Sequence, residues 1–213
     1  MEHLEGIASA EPFPHFIIKQ FYNEKELELI WEELNFYTKP DKLLPAEHYG
    51  GIEGYTSAKA LCLDTLYSAA FGHAEVDYRK ISNILTVNRK IFDNSVLTPF
   101  AEIHDCCRLA TKSNTDVTKV RYYHDGDYYD PHTDRNYQFL AFSYFYREPK
   151  RFEGGELVFP RYNYEFACDN NSLIMFPAWV EHGVSKVSIN DSDYFDGYGR
   201  YAITSFFGNK EKE

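Results

Sequence analysis

The apolar positions of the chain change their period near its middle. In FYNEKELELIWEEL they return every three to four residues, so Leu27, Ile30, Trp31 and Leu34 share one helical face. Asn23 stands just before this pattern and Glu26 three residues on, the spacing of a capping box. SAKALCLDTLYSAAF and YRKISNILTVNRKIF have helical spacing too and predict two more helices. Asn35 to Ser57 is rich in Pro, Gly and Tyr, and is long for a plain connection. Such segments often serve as binding loops or lids. From about Asp116 the texture is different. DVTKVRYY, QFLAFSYFYRE, GELVFP, YEFACDNNSLIMFP, HGVSKVSI and GRYAITSFFG are short, β-branched and aromatic, and Gly, Asn, Asp and Pro separate them. Strands in close succession predict a sandwich, barrel or jelly roll. The expectation is one domain over 1–213, mostly β with N-terminal helices (α+β). Its helical part covers about 20–92 and its β core about 96–208.

Composition narrows the function. Hydrophobic residues make up 44% of the 213, enough for a folded core. Acidic residues outnumber basic ones 33 to 22, for a net charge of −11, which argues against a general nucleic-acid backbone binder. No apolar run is long enough for a membrane span, and the start has no basic region followed by an apolar one. The chain is therefore expected to be cytoplasmic, with Cys62, Cys106, Cys107 and Cys168 as reduced thiols. His104 beside Cys106 and Cys107 has no tetrahedral zinc spacing.

The densest chemistry lies in YYHDGDYYDPHTD, with two histidines, four aspartates and four tyrosines between Tyr122 and Asp134. His132 and Asp134 form a His-x-Asp pair, and on a strand positions i and i+2 face the same way. Imidazole plus carboxylate suits a borderline metal such as iron(II). Spacing alone is a weak signal, because His-x-Glu occurs at His3/Glu5 and His73/Glu75 with no role assigned. The later segments strengthen it. His182 follows the strand-like SLIMFP and a turn, and Arg200 opens the last strand. Two histidines and a carboxylate make a facial triad, and an arginine beside it can clamp a carboxylate with two hydrogen bonds. His124, Asp125 and Asp127 around Gly126 are expected to be solvated turn residues, and Glu153, Gly154 and Gly155 a tight turn without a chemical role.

Four stretches, YHDGDYYDPHTD, SYFYREPKRFEGGELVFP, SLIMFPAWVEHGVSKV and GRYAITSFF, resemble in order those of the iron(II)- and 2-oxoglutarate-dependent dioxygenases, in their prolyl 4-hydroxylase-like branch of bacterial or viral type. PFPHFIIKQFYNEKELELI resembles the N-terminal strand and helix of that branch. The resemblance implies a double-stranded β-helix (jelly roll) with the metal between its sheets. It implies His132, Asp134 and His182 as the iron ligands and catalytic centre, and Arg200 as the partner of the distal carboxylate of 2-oxoglutarate. Tyr123 matches a tyrosine that hydrogen-bonds this cosubstrate, and Thr204, on Arg200's side of the strand, could add a hydroxyl. A further tyrosine contact falls on Tyr144 or Tyr146, with Tyr144 slightly favoured. The interval from His182 to Arg200 is longer than usual for the family. Its insertion, 189–199, is either a loop at the substrate mouth or a solvated acidic turn.

The cosubstrates so implied are 2-oxoglutarate and dioxygen with iron(II), and ascorbate as a reductant. The reaction implied is hydroxylation of an unactivated C–H bond, best matched to a proline of a peptide or protein, with the segment from Asn35 to Ser57 closing over an extended peptide. Two other readings stand beside it: an oxygenase of a free amino acid or other small molecule, and a catalytically silent jelly-roll binding module.

Overall fold

Nearly every residue of QFLAFSYF and SLIMFP is apolar, the signature of strands covered on both faces rather than one. The computed structural model describes residues 6–71 and 77–210 and bears this out. The His3/Glu5 and His73/Glu75 pairs lie outside the described residues.

The strands in chain order are β1 (Gly6–Ser9), β2 (His15–Ile18), β3 (Leu44–Pro45), β4 (Lys59–Cys62), β5 (Thr115–Tyr123), β6 (Tyr129–His132) and β7 (Phe139–Phe145). They continue as β8 (Phe152–Glu153), β9 (Leu157–Phe159), β10 (Tyr164–Phe166), β11 (Ser172–Pro177), β12 (His182–Val184), β13 (Ser188–Ile189) and β14 (Arg200–Gly208). The α-helices are α1 (Glu24–Tyr37), α2 (Leu63–Phe71), α3 (Asn83–Val87) and α4 (Asn94–Ile103). Eight strands form a major antiparallel sheet in the order β1-β2-β11-β7-β14-β5-β4-β3. Facing it is a minor sheet, β10-β9-β12-β6, and β8 pairs with β13 alone. Two opposed antiparallel sheets with helices behind the larger one are the jelly-roll arrangement of the expected mostly-β, α+β class. None of the described helices is long and apolar enough to cross a membrane.

Alternation along the major sheet divides its side chains between two cores. Phe16 and Ile18 of β2, Leu173 and Met175 of β11, and Tyr201 and Ile203 of β14 face the helices. Ile17, Ile174, Phe176, Ala202 and Phe206 face the minor sheet. Helix α1 seals the first core with Ile30 and Leu34, and its N-terminus carries the expected capping box between Asn23 and Glu26.

The structure corrects several expectations. SAKALCLDTLYSAAF is half strand: β4 pairs with β5, and α2 begins only at Leu63. YRKISNILTVNRKIF breaks into α3 flanked by 3-10 turns, Tyr78–Lys80 and Asn88–Phe92. The stretch 96–112, assigned to the β core, is instead α4 and a 3-10 segment, Asp105–Lys112, so the long strands begin at β5. Asp127 is buried rather than solvated: its carboxylate accepts the His124 N–H at 2.7 Å and closes the turn around Gly126.

No residue of the insertion lines the cavities of the site, and Asn190, Asp191, Ser192 and Asp196 are exposed, as expected of a solvated acidic turn, while its aromatic residues pack inward. Tyr194 and Phe195 pack on His124 and Tyr122, and Arg151 pairs with Asp193 at 2.9 Å while its guanidinium lies over the Tyr198 ring. The insertion thereby buttresses the end of β5 from the side away from the minor sheet.

Candidate metal and anion site

Strand pairing brings the two histidines together. His132 ends β6, His182 opens β12, and they are direct cross-strand partners, so their side chains leave the same face of the minor sheet. Their rings lie 4.6 Å apart. Each ring is turned by its own backbone: His132 Nδ1 lies 2.8 Å from the Asp130 carbonyl, and His182 Nδ1 2.9 Å from the Val180 carbonyl. A carbonyl only accepts, so Nδ1 carries the proton in both rings and Nε2 presents a lone pair to the cavity.

Asp134 joins them from a different position than the spacing suggested. It lies past the end of β6 and is held there by its own N–H, which donates to the Ala178 carbonyl at 3.0 Å. Its Oδ2 sits 3.9 Å from His132 Nε2 and 3.4 Å from His182 Nε2. One ligand atom from each residue lies within 4.8 Å of the others, close enough to share a metal ion, and this is the one such cluster among the described residues. Burial raises the Asp134 carboxyl, but hydrogen bonding to His182 and the charges of His182, His132 and Arg121 outweigh it and hold the group below its ordinary value. Burial, helped by His182, lowers His132 to about 4. An ionised carboxylate and neutral imidazoles are the forms that bind a metal.

A second group lies on the inner face of the major sheet. Arg200 at the start of β14 is fully buried, and Tyr123 is its partner on β5. Its guanidinium sits 4.0 Å above the Tyr123 ring and 5.0 Å from the Tyr144 ring. Nε donates to the Gly155 carbonyl at 2.7 Å, whereas Nη1 is buried with no hydrogen-bond partner. Tyr144 OH and Thr204 Oγ1 are likewise buried and unpartnered. Register joins the three, because Tyr144 pairs with Ala202, which stands between Arg200 and Thr204 on β14. Buried donors left without acceptors cost free energy, and a buried cation costs most. A small molecule with a carboxylate group would satisfy all three, so these residues fit 2-oxoglutarate. Tyr146 is set apart from this group: it lies past the end of β7 and packs on Phe152.

Gly155 has a chemical role that the sequence did not suggest. Its φ is +77°, and a Cβ there would fall 2.4 Å from Arg200 Cδ. Only glycine lets the loop carbonyl reach the guanidinium.

The cluster opens outward into a cavity of about 750 Å³ bordered by Tyr49, Ile52, Tyr55, Arg161, Trp179 and Glu181. The Tyr- and Gly-rich segment forms one wall and is tied to β6. Asp130 N donates to the Tyr55 carbonyl at 2.7 Å, Thr56 Oγ1 to the Tyr128 carbonyl at 2.8 Å, and Ile52 N to Tyr129 OH at 3.2 Å. Two cations that the sequence reading did not single out also line the site, Lys119 and Arg121 of β5. Both are inward-facing and alternate with Tyr123, the pattern that could have revealed them.

Comparison with known proteins agrees with this geometry. Residues 118–208 match the 2OG-Fe(II) oxygenase superfamily. A prolyl-4-hydroxylase from Pseudomonas putida superposes with a TM-score of 0.56 at 17% identity, over 92% of this chain and 93% of that one. A 2OG-Fe(II) oxygenase family oxidoreductase from Burkholderia pseudomallei gives 0.55 at 15% identity, over 91% and 84%. A prolyl hydroxylase from Trichoplax adhaerens, in complex with a peptide fragment of the hypoxia inducible factor oxygen degradation domain, gives 0.53 at 14%, over 91% and 83%. At these identities the likeness is one of fold. A search of curated proteins returned no match.

Proposed function

We propose that this chain, a 2OG-Fe(II) oxygenase with the prolyl 4-hydroxylase fold, hydroxylates a proline in a peptide or protein, with His132, Asp134 and His182 as its iron ligands. The observation that carries the reading is a buried arginine with no carboxylate partner among the described residues, stacked on Tyr123, which lines the same cavity as the two-histidine, one-carboxylate cluster. When bound, iron(II) with 2-oxoglutarate and dioxygen supplies oxidative decarboxylation of the cosubstrate coupled to oxygen insertion into a C–H bond.

The protein's own residues prepare the site for this. His132 and His182 offer Nε2 because backbone carbonyls hold their Nδ1 protons. Asp134 offers an ionised carboxylate, kept so by the neighbouring charges. Arg200 takes the distal carboxylate of 2-oxoglutarate, with Tyr144 and Thr204 donating hydroxyls beside it and Tyr123 stacked beneath the guanidinium. Phe142, Val184 and Phe206 line the inner wall and keep it apolar, which strengthens these polar contacts. The tethered segment over the outer cavity gives an extended peptide a wall to lie along.

The whole chain acts as one catalytic domain in this reading, working in a reducing cytoplasm. The proline assignment draws on the fold likeness to prolyl hydroxylases. It is tested by incubating the protein with iron(II), ascorbate, 2-oxoglutarate and a panel of proline-containing peptides. The expected outcome is succinate together with one oxygen added to a peptide. Succinate with no oxygenated peptide would move the substrate to a free amino acid or other small molecule.

A further inference from the structure

Two buried cations at the site have no ion-paired carboxylate among the described residues. Arg121 is 5% exposed and Lys119 7%. Both project from β5 into the inner cavity, which His132, Asp134 and His182 also line. Register sets them on successive rungs after Arg200. Tyr123 pairs with Arg200, Arg121 with Ala202 and Lys119 with Thr204, so three cations ascend one face of the sheet toward the outer cavity.

None of their neighbours explains Arg121. Its Nη1 is buried with no hydrogen-bond partner among the described residues, and its guanidinium lies 5.6 Å from the Tyr129 ring. The Asp134 carboxylate feels the charge of Arg121 but makes no ion pair with it, its close partners being the two histidines. Lys119 donates to the Tyr49 carbonyl at 2.6 Å and so tethers the loop over the mouth, but it has no carboxylate partner among the described residues. A desolvated guanidinium with no carboxylate hydrogen-bonded to it among the described residues is costly, and a strand position facing a cavity is not forced to carry one. The surroundings make the cost more telling. The chain's net charge is −11, yet the two cavities are lined by Lys119, Arg121, Arg135 and Arg161 against Asp134 and Glu181. Of those acids Asp134 belongs to the metal cluster, and Glu181 lies 3.5 Å from Arg161. An uncompensated positive wall thus borders the place where substrate must lie.

We propose that Arg121, with Lys119 beside it, recognises a carboxylate carried by the substrate, and that the enzyme acts on an acid. The carboxylate belongs either to a free amino or N-acyl amino acid or to an acidic residue next to the target residue in a peptide. This rests on the reading of Arg200 and the metal cluster given above, in which Arg200 and not Arg121 takes the distal carboxylate of 2-oxoglutarate. The guanidinium offers two parallel donors to a carboxylate, which fixes orientation as well as adding affinity. Held near the metal cluster, it would make the carboxylate the reference point from which one C–H bond is chosen.

The test measures binding, not turnover. Protein loaded with manganese(II) and 2-oxoglutarate is titrated calorimetrically with matched acid and amide pairs: N-acetylproline and its amide, blocked Asp-Pro-Gly and Asn-Pro-Gly, and N-acetylleucine and its amide. The wild type is expected to prefer the acid of at least one pair by about tenfold or more, the size of a charge-assisted contact. Arg121→Leu should abolish that preference with 2-oxoglutarate affinity unchanged, and Arg121→Lys should keep part of it. Discrimination within the N-acetylleucine pair alone would uphold the acid reading and reject proline as the target. Equal binding of acid and amide in every pair would overturn the inference. A collapse of 2-oxoglutarate affinity in Arg121→Leu would overturn it too, by assigning Arg121 to the cosubstrate. Should Arg121→Leu fail to fold, Arg121→Lys and Lys119→Met decide between the same outcomes.

Discussion

Asp134→Ala is expected to abolish turnover and iron binding together while the fold persists. The substitution removes the only carboxylate of the cluster and leaves two neutral imidazoles whose Nε2 atoms face an empty corner. Removing a group that merely orients a metal ligand costs 10–100-fold in affinity, so losing an anionic ligand should cost more than about 100-fold. The fold should tolerate the change. Asp134 lies on a connection, and its structural bond is made by its backbone N–H to Ala178, which alanine keeps. The thermal unfolding midpoint of the metal-free variant should therefore stay close to wild type, since substitutions away from packed features usually shift stability by less than about 0.5 kcal/mol. Iron content after anaerobic loading and the unfolding midpoint check both parts. Stoichiometric iron in Asp134→Ala would reject the ligand assignment.

Arg200→Leu should weaken 2-oxoglutarate by roughly a hundredfold, about 3 kcal/mol, the usual cost of removing one partner of a buried charge pair. Stability separates this role from a structural one. The empty protein buries a guanidinium whose Nη1 has no partner. Leucine removes that cost and loses one hydrogen bond to Gly155, so the unliganded variant should be at least as stable as the wild type. Gly155→Ala should act in the opposite sense on stability. Its Cβ would press on Arg200 Cδ at 2.4 Å, from a backbone with φ +77°. Such strain costs about 1–3 kcal/mol, and the displaced arginine should hold 2-oxoglutarate less well. Titration of 2-oxoglutarate into metal-loaded variants and their unfolding midpoints give the two readouts. An unchanged affinity in Arg200→Leu would reject its clamp role.

The sequence carried the strands from Thr115 onward and the site motifs because both are written in local runs. Most of the strands there lie in short β-branched or aromatic segments between turn residues, and His132, His182 and Arg200 sit at strand ends with Asp134 two residues past His132. The N-terminal half was harder to read for a physical reason. KALC is a short run of three apolar residues after Lys59 that leads into a helix, and periodicity cannot tell a short buried strand from a helical turn. Its strand state comes from pairing with β5, some sixty residues on, which local propensity does not encode. The helix over Asn94–Ile103 is obscured by Pro99 inside it. Arg121 and Lys119 were legible in principle. They alternate with Tyr123 in TKVRYY, so a strand that turns Tyr123 toward Arg200 and the inner cavity turns both cations inward as well.

The central claim is that the cluster and Arg200 form one site that takes a metal and 2-oxoglutarate together. The most direct measurement is an anaerobic calorimetric titration of 2-oxoglutarate into the protein with and without iron(II). Arg200 and the cluster acting jointly predict one site per chain, with binding that is much tighter when the metal is present and lost in Asp134→Ala. Binding that ignores iron(II), or no binding in the iron-loaded protein, would contradict it.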